Sequence, residues 1–495
     1  MSNIRVTYSG LISFLVSLIS LITGTIFVII VTRKLSPDEL GLWALINSVV
    51  GYVLIVDPII SYWSTRQIAR GEKLGKTTLF GGSIFSITGS LVFLIISFFI
   101  SDSLSVNFEI FLLATILVPL SFIHASLSGI TLGEKPHVIQ YGLLAFESIK
   151  IPLGFVFVVF YQMGIEGAIL TIILSEIIRS LVLFSFMRRT LSGKIYFKQL
   201  KLWLRKFWLP LYASIPGFII SFDIVVFSII TLELEGIAYW TAAGTVASLI
   251  VYSGNISQAL YPKVISTLKK EFVEQSFRLT MYFAIPLFCL TIVFAKSLLH
   301  IINPIYADGS LIVIFMALKS FIVVITIFSF NTMRAYEKVD KNENASFMDY
   351  IKSNLFYVPS LLLVRGIVYI VSLSAFLIFA PSQMDILDLV IIWSVLSFII
   401  FIPFSFIGLN QLRKSLLVHF SIFSILKYLL AGIIASGIIL ILQDQFLEYK
   451  TKILDFLPEI FPLLIIWCVI YLAITIIWDK KTKDFVKSII SEIKK

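Results

Sequence analysis

The sequence predicts an all-α polytopic membrane protein of about fourteen transmembrane helices. Three observations predict it. Of 495 residues, 58% are hydrophobic and 14% charged, against about 45–50% and about 25% in a soluble domain. The mean hydropathy is +0.99, so there is too little polar surface to cover a core of that size. Fourteen runs are apolar and long enough to cross about 30 Å of hydrocarbon as helices, and no alternating ten-residue pattern of a membrane β-barrel recurs. The same composition excludes a disordered, collagen-like or disulfide-stapled chain.

The fourteen runs are roughly 9–32, 41–62, 80–101, 109–132, 141–161, 165–187, 208–230, 237–260, 279–302, 309–333, 353–380, 386–410, 420–442 and 459–478. The first is too long for a signal-peptide core and lacks a small-residue exit, which predicts that it is retained. Basic residues set the orientation. With the N-terminus in the cytoplasm, 30 of the 39 Lys and Arg fall on the inner side, five on the outer side and four within spans. Both termini are therefore expected in the cytoplasm and the number of helices is expected to be even. Cys289 and Cys468 both fall inside apolar runs and read as small apolar residues. The four histidines are scattered without metal-ligand spacing, so no metal is expected.

The longest inner connection, about 188–207, carries seven basic residues and divides six runs from eight. The expected organisation is a six-helix lobe over 1–190, a basic cytoplasmic linker over 191–207, a second six-helix lobe over 208–412, and two further helices with a tail over 413–495. The linker reads either as a segment lying on anionic lipid, where each basic residue gains about 1 kcal/mol, or simply as a topogenic signal. Leu232-Glu233-Leu234-Glu235-Gly236-Ile237-Ala238-Tyr239-Trp240 weakly echoes Leu35-Ser36-Pro37-Asp38-Glu39-Leu40-Gly41-Leu42-Trp43 at the equivalent point of the first lobe. Paired repeats of this kind build many transporters, although Gly after a polar turn is also ordinary helix punctuation.

Gly71-Glu72-Lys73-Leu74-Gly75-Lys76-Thr77 is one residue short of a phosphate-binding loop and follows no strand, so it is set aside. No kinase, hydrolase or zinc signature appears, which predicts a protein that is not an enzyme and needs no resident cofactor. Asn255-Ile256-Ser257 and Asn344-Ala345-Ser346 match the glycosylation sequon, one within a span and one in an inner loop, so neither is expected to be modified.

The run Thr32-Arg33-Lys34-Leu35-Ser36-Pro37-Asp38-Glu39-Leu40-Gly41-Leu42-Trp43 resembles the first outer turn of Wzx-type polysaccharide (oligosaccharide-lipid) flippases. Asp57, nine residues before Arg66, is similar to the end of their second helix, although Pro58 stands where Gly is expected. Ala259-Leu260-Tyr261-Pro262-Lys263-Val264-Ile265-Ser266 is similar to the segment after their eighth helix. The resemblance implies the MATE-like fold of the multidrug/oligosaccharidyl-lipid/polysaccharide (MOP) exporter superfamily. It also implies flipping of lipid-linked oligosaccharide at the cell membrane, with glycosyltransferases or a polymerase of the same pathway as partners.

Eight ionisable residues lie within the runs: Asp57, Glu147, Lys150, Glu176, Arg179, Asp223, Lys319 and Arg365. Each costs at least about 2.5–3.5 kcal/mol at a helix centre, so they are expected to face the interior or a wet cavity. Glu147/Lys150 and Glu176/Arg179 are each three apart and share a helix face; each pair reads either as self-neutralisation or as part of a site. Arg179, Arg365, Lys150 and Lys319 are the candidate headgroup and phosphate residues, because Arg bonds phosphate bidentately. Asp57, Arg66, Asp223, Glu147 and Glu176 are candidates for gating or for coupling to Na⁺ or H⁺. Pro216 and Gly217 form the candidate hinge of the seventh helix, since Pro frees a carbonyl and Gly permits bending.

Two other readings stay open. A cation-coupled small-molecule or drug antiporter of the same superfamily needs a dominant acidic site. A membrane glycan polymerase or glycosyltransferase needs a long outer loop with catalytic residues, and the longest here is about 443–458. Sorted by side, the formal charge of +10 is mostly an orientation signal, which removes a nucleic-acid reading.

Overall fold

The computed structural model describes residues 26–69, 71–135, 138–205, 207–254, 270–337, 347–381, 383–416 and 422–479, with single residues (20, 23, 24, 339, 420 and 483) beside them. Among the described residues all regular structure is helical. Most of the first apolar run, the 259–266 segment and the lysines of the tail other than Lys483 lie outside them, and so does the Arg66 side chain.

Among the described residues, a helical segment that includes residues 26–32 is followed by nineteen α-helices. The first nine are α1 Pro37–Val53, α2 Pro58–Ala69, α3 Gly75–Leu104, α4 Phe108–Ala114, α5 Leu117–Glu134, α6 Val138–Gly154, α7 Gly164–Leu191, α8 Phe197–Arg205 and α9 Trp208–Ser221. They continue as α10 Asp223–Thr231, α11 Glu235–Val251, α12 Lys270–Val293, α13 Ala295–Ile302 and α14 Ser310–Tyr336. The last are α15 Phe347–Ile351, α16 Asn354–Phe379, α17 Ile386–Leu416, α18 Ile422–Phe446 and α19 Ile453–Trp478.

Eleven helices among the described residues are long and apolar enough to cross a membrane, and a bent pair makes twelve. Twelve of the expected fourteen runs, all but the first and the eighth, map onto them in order. The bent pair, Thr280–Val293 with Ala295–Ile302 at 77°, is the ninth run. The eighth is α11, one short turn before residues outside the description. The first is the mostly undescribed N-terminal run. A chain with this many spans is a multi-pass membrane protein.

The chain forms two compact units, residues 1–241 with 359–386, and residues 242–358 with 387–495. In the first unit small residues let helices approach closely, as is usual in membranes. A Cβ on Gly82 of α3 would lie 2.0 Å from Ser126 Oγ of α5, and one on Gly133 of α5 would lie 2.8 Å from the Thr65 carbonyl of α2. The Thr65 hydroxyl also donates to the Gly129 carbonyl at 2.9 Å. The turn before α1 is a full capping box: Ser36 accepts from Glu39 N at 3.2 Å, Glu39 Oε2 accepts from Ser36 N at 2.9 Å, and Pro37 opens α1. Glu39 Oε1 also accepts from Ile165 N at the start of α7 (3.3 Å), a tie that sequence reasoning missed.

Three spans of this unit are interrupted among the described residues, the fourth at 115–116 between α4 and α5. The second passes through a 3₁₀ turn, Leu54–Val56, and restarts at Pro58, whose missing N–H suits the first position of α2. The seventh runs uninterrupted through Pro216 and Gly217 within α9, and its break falls at Phe222. There Asp223, the first residue of α10, accepts at Oδ1 from Ile224 N at 2.9 Å. The ring of Tyr52 on α1 stacks on Phe222 (4.7 Å between centroids), and its hydroxyl donates to the Ser221 carbonyl.

In the second unit α12 packs against α14 and α18, and α18 against α19. Gly432 of α18 seats on Cys289, whose Sγ would be 2.6 Å from an added Cβ. Trp467 of α19 donates to Ser436 of α18 at 3.2 Å. α13 is clasped by the loop before α19: His300 is hydrogen-bonded to the Lys450 carbonyl at 2.9 Å and sits edge-on to Tyr449 and Phe456.

Candidate functional site

The i,i+3 spacing on α6 and α7 puts each acid beside its base. Lys150 Nζ lies 2.6 Å from Glu147 Oε2, and Arg179 Nη1 lies 3.1 Å from Glu176 Oε1. Packing of α6 on α7 joins the two pairs. Phe146 is the hinge pin of the cluster: Lys150 Nζ stands 4.9 Å from its ring centroid and the Arg179 guanidinium 5.5 Å from it. Both cations thus share one aromatic face partner in a water-poor setting, where cation–π attraction is strongest. Lys150 also stands 5.5 Å from the Phe27 ring.

Two further groups complete the cluster, and neither was singled out from the sequence. Thr23 donates to Glu147 Oε2 at 2.7 Å. His124 on α5 places Nδ1 3.9 Å from Glu176 Oε2, while its Nε2 is 3.2 Å from Ser128 Oγ. Glu176 Oε2, His124 Nδ1 and Arg179 Nε are all buried with no hydrogen-bond partner among the described residues. With His124 neutral, two carboxylates meet two cations and the cluster carries no net charge. Only a polar residue standing alone on an apolar stretch hinted at His124; its partner lies 52 positions away and is set by packing.

The other candidates sit elsewhere. Asp223 is buried and accepts from the Tyr369 hydroxyl of α16 at 2.8 Å. Arg365, one helical turn before Tyr369, is buried at 7% exposure. Asp57 occupies the junction ahead of α2, where its Oδ2 accepts from Ser61 at 2.8 Å and its Oδ1 is buried without a partner among the described residues. Lys319 belongs to the second unit, with Nζ 5.0 Å from the Phe401 ring centroid. Pro216 is buried, and space around Gly217 is open, with nothing within 4 Å of an added Cβ. No group of His, Cys, Asp and Glu able to hold a metal ion occurs among the described residues.

No protein-family model matches the chain, and no curated protein matches it. Solved structures do. A lipid II flippase, MurJ, in an inward closed conformation aligns with a TM-score of 0.63 at 15% identity, covering 96% of this chain and 99% of that one. An inward-facing multidrug resistance MATE family transporter of the MOP superfamily aligns with a TM-score of 0.59 at 15% identity, covering 80% of this chain and 96% of its own. A MATE in complex with MaD3S gives 0.56 at 14% identity, covering 83% and 95%. The fold is therefore MATE-like, as expected from the sequence.

Proposed function

We propose that the chain is a flippase that moves a lipid-linked oligosaccharide, carried on a polyprenyl phosphate or pyrophosphate, from the inner to the outer leaflet by alternating access. The product would serve cell-surface polysaccharide or glycoprotein glycan assembly at the plasma membrane. One observation carries the reading: the lipid II flippase accounts for 96% of the chain, whereas the MATE transporter leaves about a fifth of it uncovered. The lipid II flippase thus matches nearly the full length of the chain, which the MATE transporter does not.

In this reading the headgroup phosphate is held by Arg179, Arg365, Lys150 and Lys319, the Arg forks bonding bidentately. A phosphate reaching Lys150 and Arg179 must replace Glu147 and Glu176 as their counterions, which makes those two acids, with Asp57 and Asp223, the candidate sites of Na⁺ or H⁺ coupling. The lipid tail stays in the bilayer, and no covalent bond of the substrate changes.

The test is delivery of lipid-linked glycan to the outer leaflet in Arg179→Ala and Arg365→Ala cells with normal protein levels. At least a tenfold loss is expected in each. Because Arg179→Ala strands Glu176, the Arg179→Ala/Glu176→Gln double variant is measured beside it. Unchanged delivery in all three overturns the phosphate role. A second reading, a cation-coupled small-molecule antiporter, draws support from the MATE-like fold; drug efflux driven by a Na⁺ or H⁺ gradient would favour it.

A further inference from the structure

We propose that α8 carries a binding surface for anionic phospholipid headgroups, formed by Lys198, Lys201 and Arg205 on the face it turns away from the first unit. The surface does not depend on what the protein transports.

Residues advance about 100° along an α-helix, so positions three and four apart share a face. On one side of α8, Leu200 and Trp203 are buried at 8% and 1% exposure. Leu200 seats on Gly81 of α3, where an added Cβ would lie 2.9 Å from its Cδ1. Gln67 of α2 fixes the roll of the helix: its Oε1 accepts from Gln199 Nε2 at 2.8 Å and from Trp203 Nε1 at 2.9 Å. One turn earlier, Tyr196 N donates to Thr77 Oγ1 at 3.0 Å. The helix is a docked element with a defined outward face.

That face is a stripe of three cations. Lys198, Lys201 and Arg205 follow each other at spacings of three and four, and all are exposed. Apolar side chains flank the stripe and are exposed too: Phe197 (65%) and Leu204 (44%) on one side, Leu202 (40%) on the other. Exposed Phe207 and Trp208 follow. A water-facing helix has no use for apolar flanks on both sides of its charged stripe. At a bilayer surface the flanks enter the acyl boundary while the cations stay at phosphate level. The 188–207 segment contains seven basic residues and no acid, so its charge complements an anionic leaflet. Of the helices packed on α8, α2 carries no acid and α3 carries only Asp102, at its far end. A topogenic signal requires only a count of charges; it does not require Gln67 to hold two side chains so that three cations share one face.

The experiment is native mass spectrometry of the full-length protein titrated with phosphatidylglycerol or phosphatidylcholine. The Lys198→Gln/Lys201→Gln/Arg205→Gln variant is compared with wild type and with a control triple, Lys296→Gln/Lys450→Gln/Lys452→Gln. Wild type should retain phosphatidylglycerol over phosphatidylcholine. The α8 triple should weaken phosphatidylglycerol binding about fivefold per charge removed at low salt, about a hundredfold in all. The single Lys201→Glu should move in the same direction, and the control triple should not change. Undiminished phosphatidylglycerol binding in the α8 triple overturns the proposal, as does an equal loss in the control. Displacement by millimolar glycerol phosphate also overturns it, since that would mark a site for free phosphate.

Discussion

The Tyr369 hydroxyl donates to Asp223 Oδ2 across 2.8 Å, joining α16 to the point where the seventh span restarts. Asp223 Oδ1 is used as well, by the Ile224 amide. Tyr369→Phe removes a donor from a buried carboxylate and should lower stability by about 1–3 kcal/mol. A thermal melt in detergent checks this. If Asp223 also couples an ion, the cation concentration for half-maximal transport should shift in the same variant; a shift in the melt alone assigns Asp223 to holding the break.

Gly41→Ala should be among the most damaging single-methyl changes in the first unit. Its Cβ would meet the Leu234 carbonyl oxygen at 2.2 Å, and backbone cannot swing aside as a side-chain end can. Overpacking of this kind costs about 1–3 kcal/mol or more. The contact also joins the two echoing turns to each other, through Gly41 of one and Leu234 of the other. Gly217→Ala is the matched contrast. With nothing within 4 Å, it should stabilise the helix by up to about 1 kcal/mol. A transport rate that falls while the melt rises would mark Gly217 as a working bend.

The span layout and the two ion pairs were legible because both are local: apolar length, and i,i+3 spacing on one helix. Pro58 likewise signals a restart, and α2 begins there. Other features depend on distant partners. Pro216 drew attention in the seventh span, yet the interruption lies at Phe222, where Tyr52 supplies a stacking ring and Asp223 opens the next helix. Phe294 carries no breaker, and the 77° bend beside it goes with the clasp of the 447–452 loop on His300. His124, Thr23 and Gln67 looked like isolated polar residues until packing brought Glu176, Glu147 and Trp203 to them.

Gln67→Leu should release α8 without touching a charge. The indole of Trp203 and the amide of Gln199 would both lose their acceptor in a buried place, at a cost of about 1–3 kcal/mol for each group left unsatisfied. Limited proteolysis between 191 and 207 should become faster than in wild type. Gln67→Glu, which keeps the acceptor, should retain most of the protection.

Removing one member of the Glu147/Lys150 pair should be worse than removing both. Lys150→Met leaves the Glu147 carboxylate buried beside Thr23 and Phe146, and breaking a buried pair costs about 3–5 kcal/mol. Lys150→Met/Glu147→Gln takes out both charges, keeps an acceptor for Thr23 and fills similar volume, so its melt should recover to near wild type. Transport then separates the two meanings of the pair. If it serves only to let α6 insert, the double variant transports normally. If Lys150 meets the substrate's phosphate, the double variant folds and still fails, and the loss should deepen when Arg179, on the same Phe146 ring, is replaced together with Glu176.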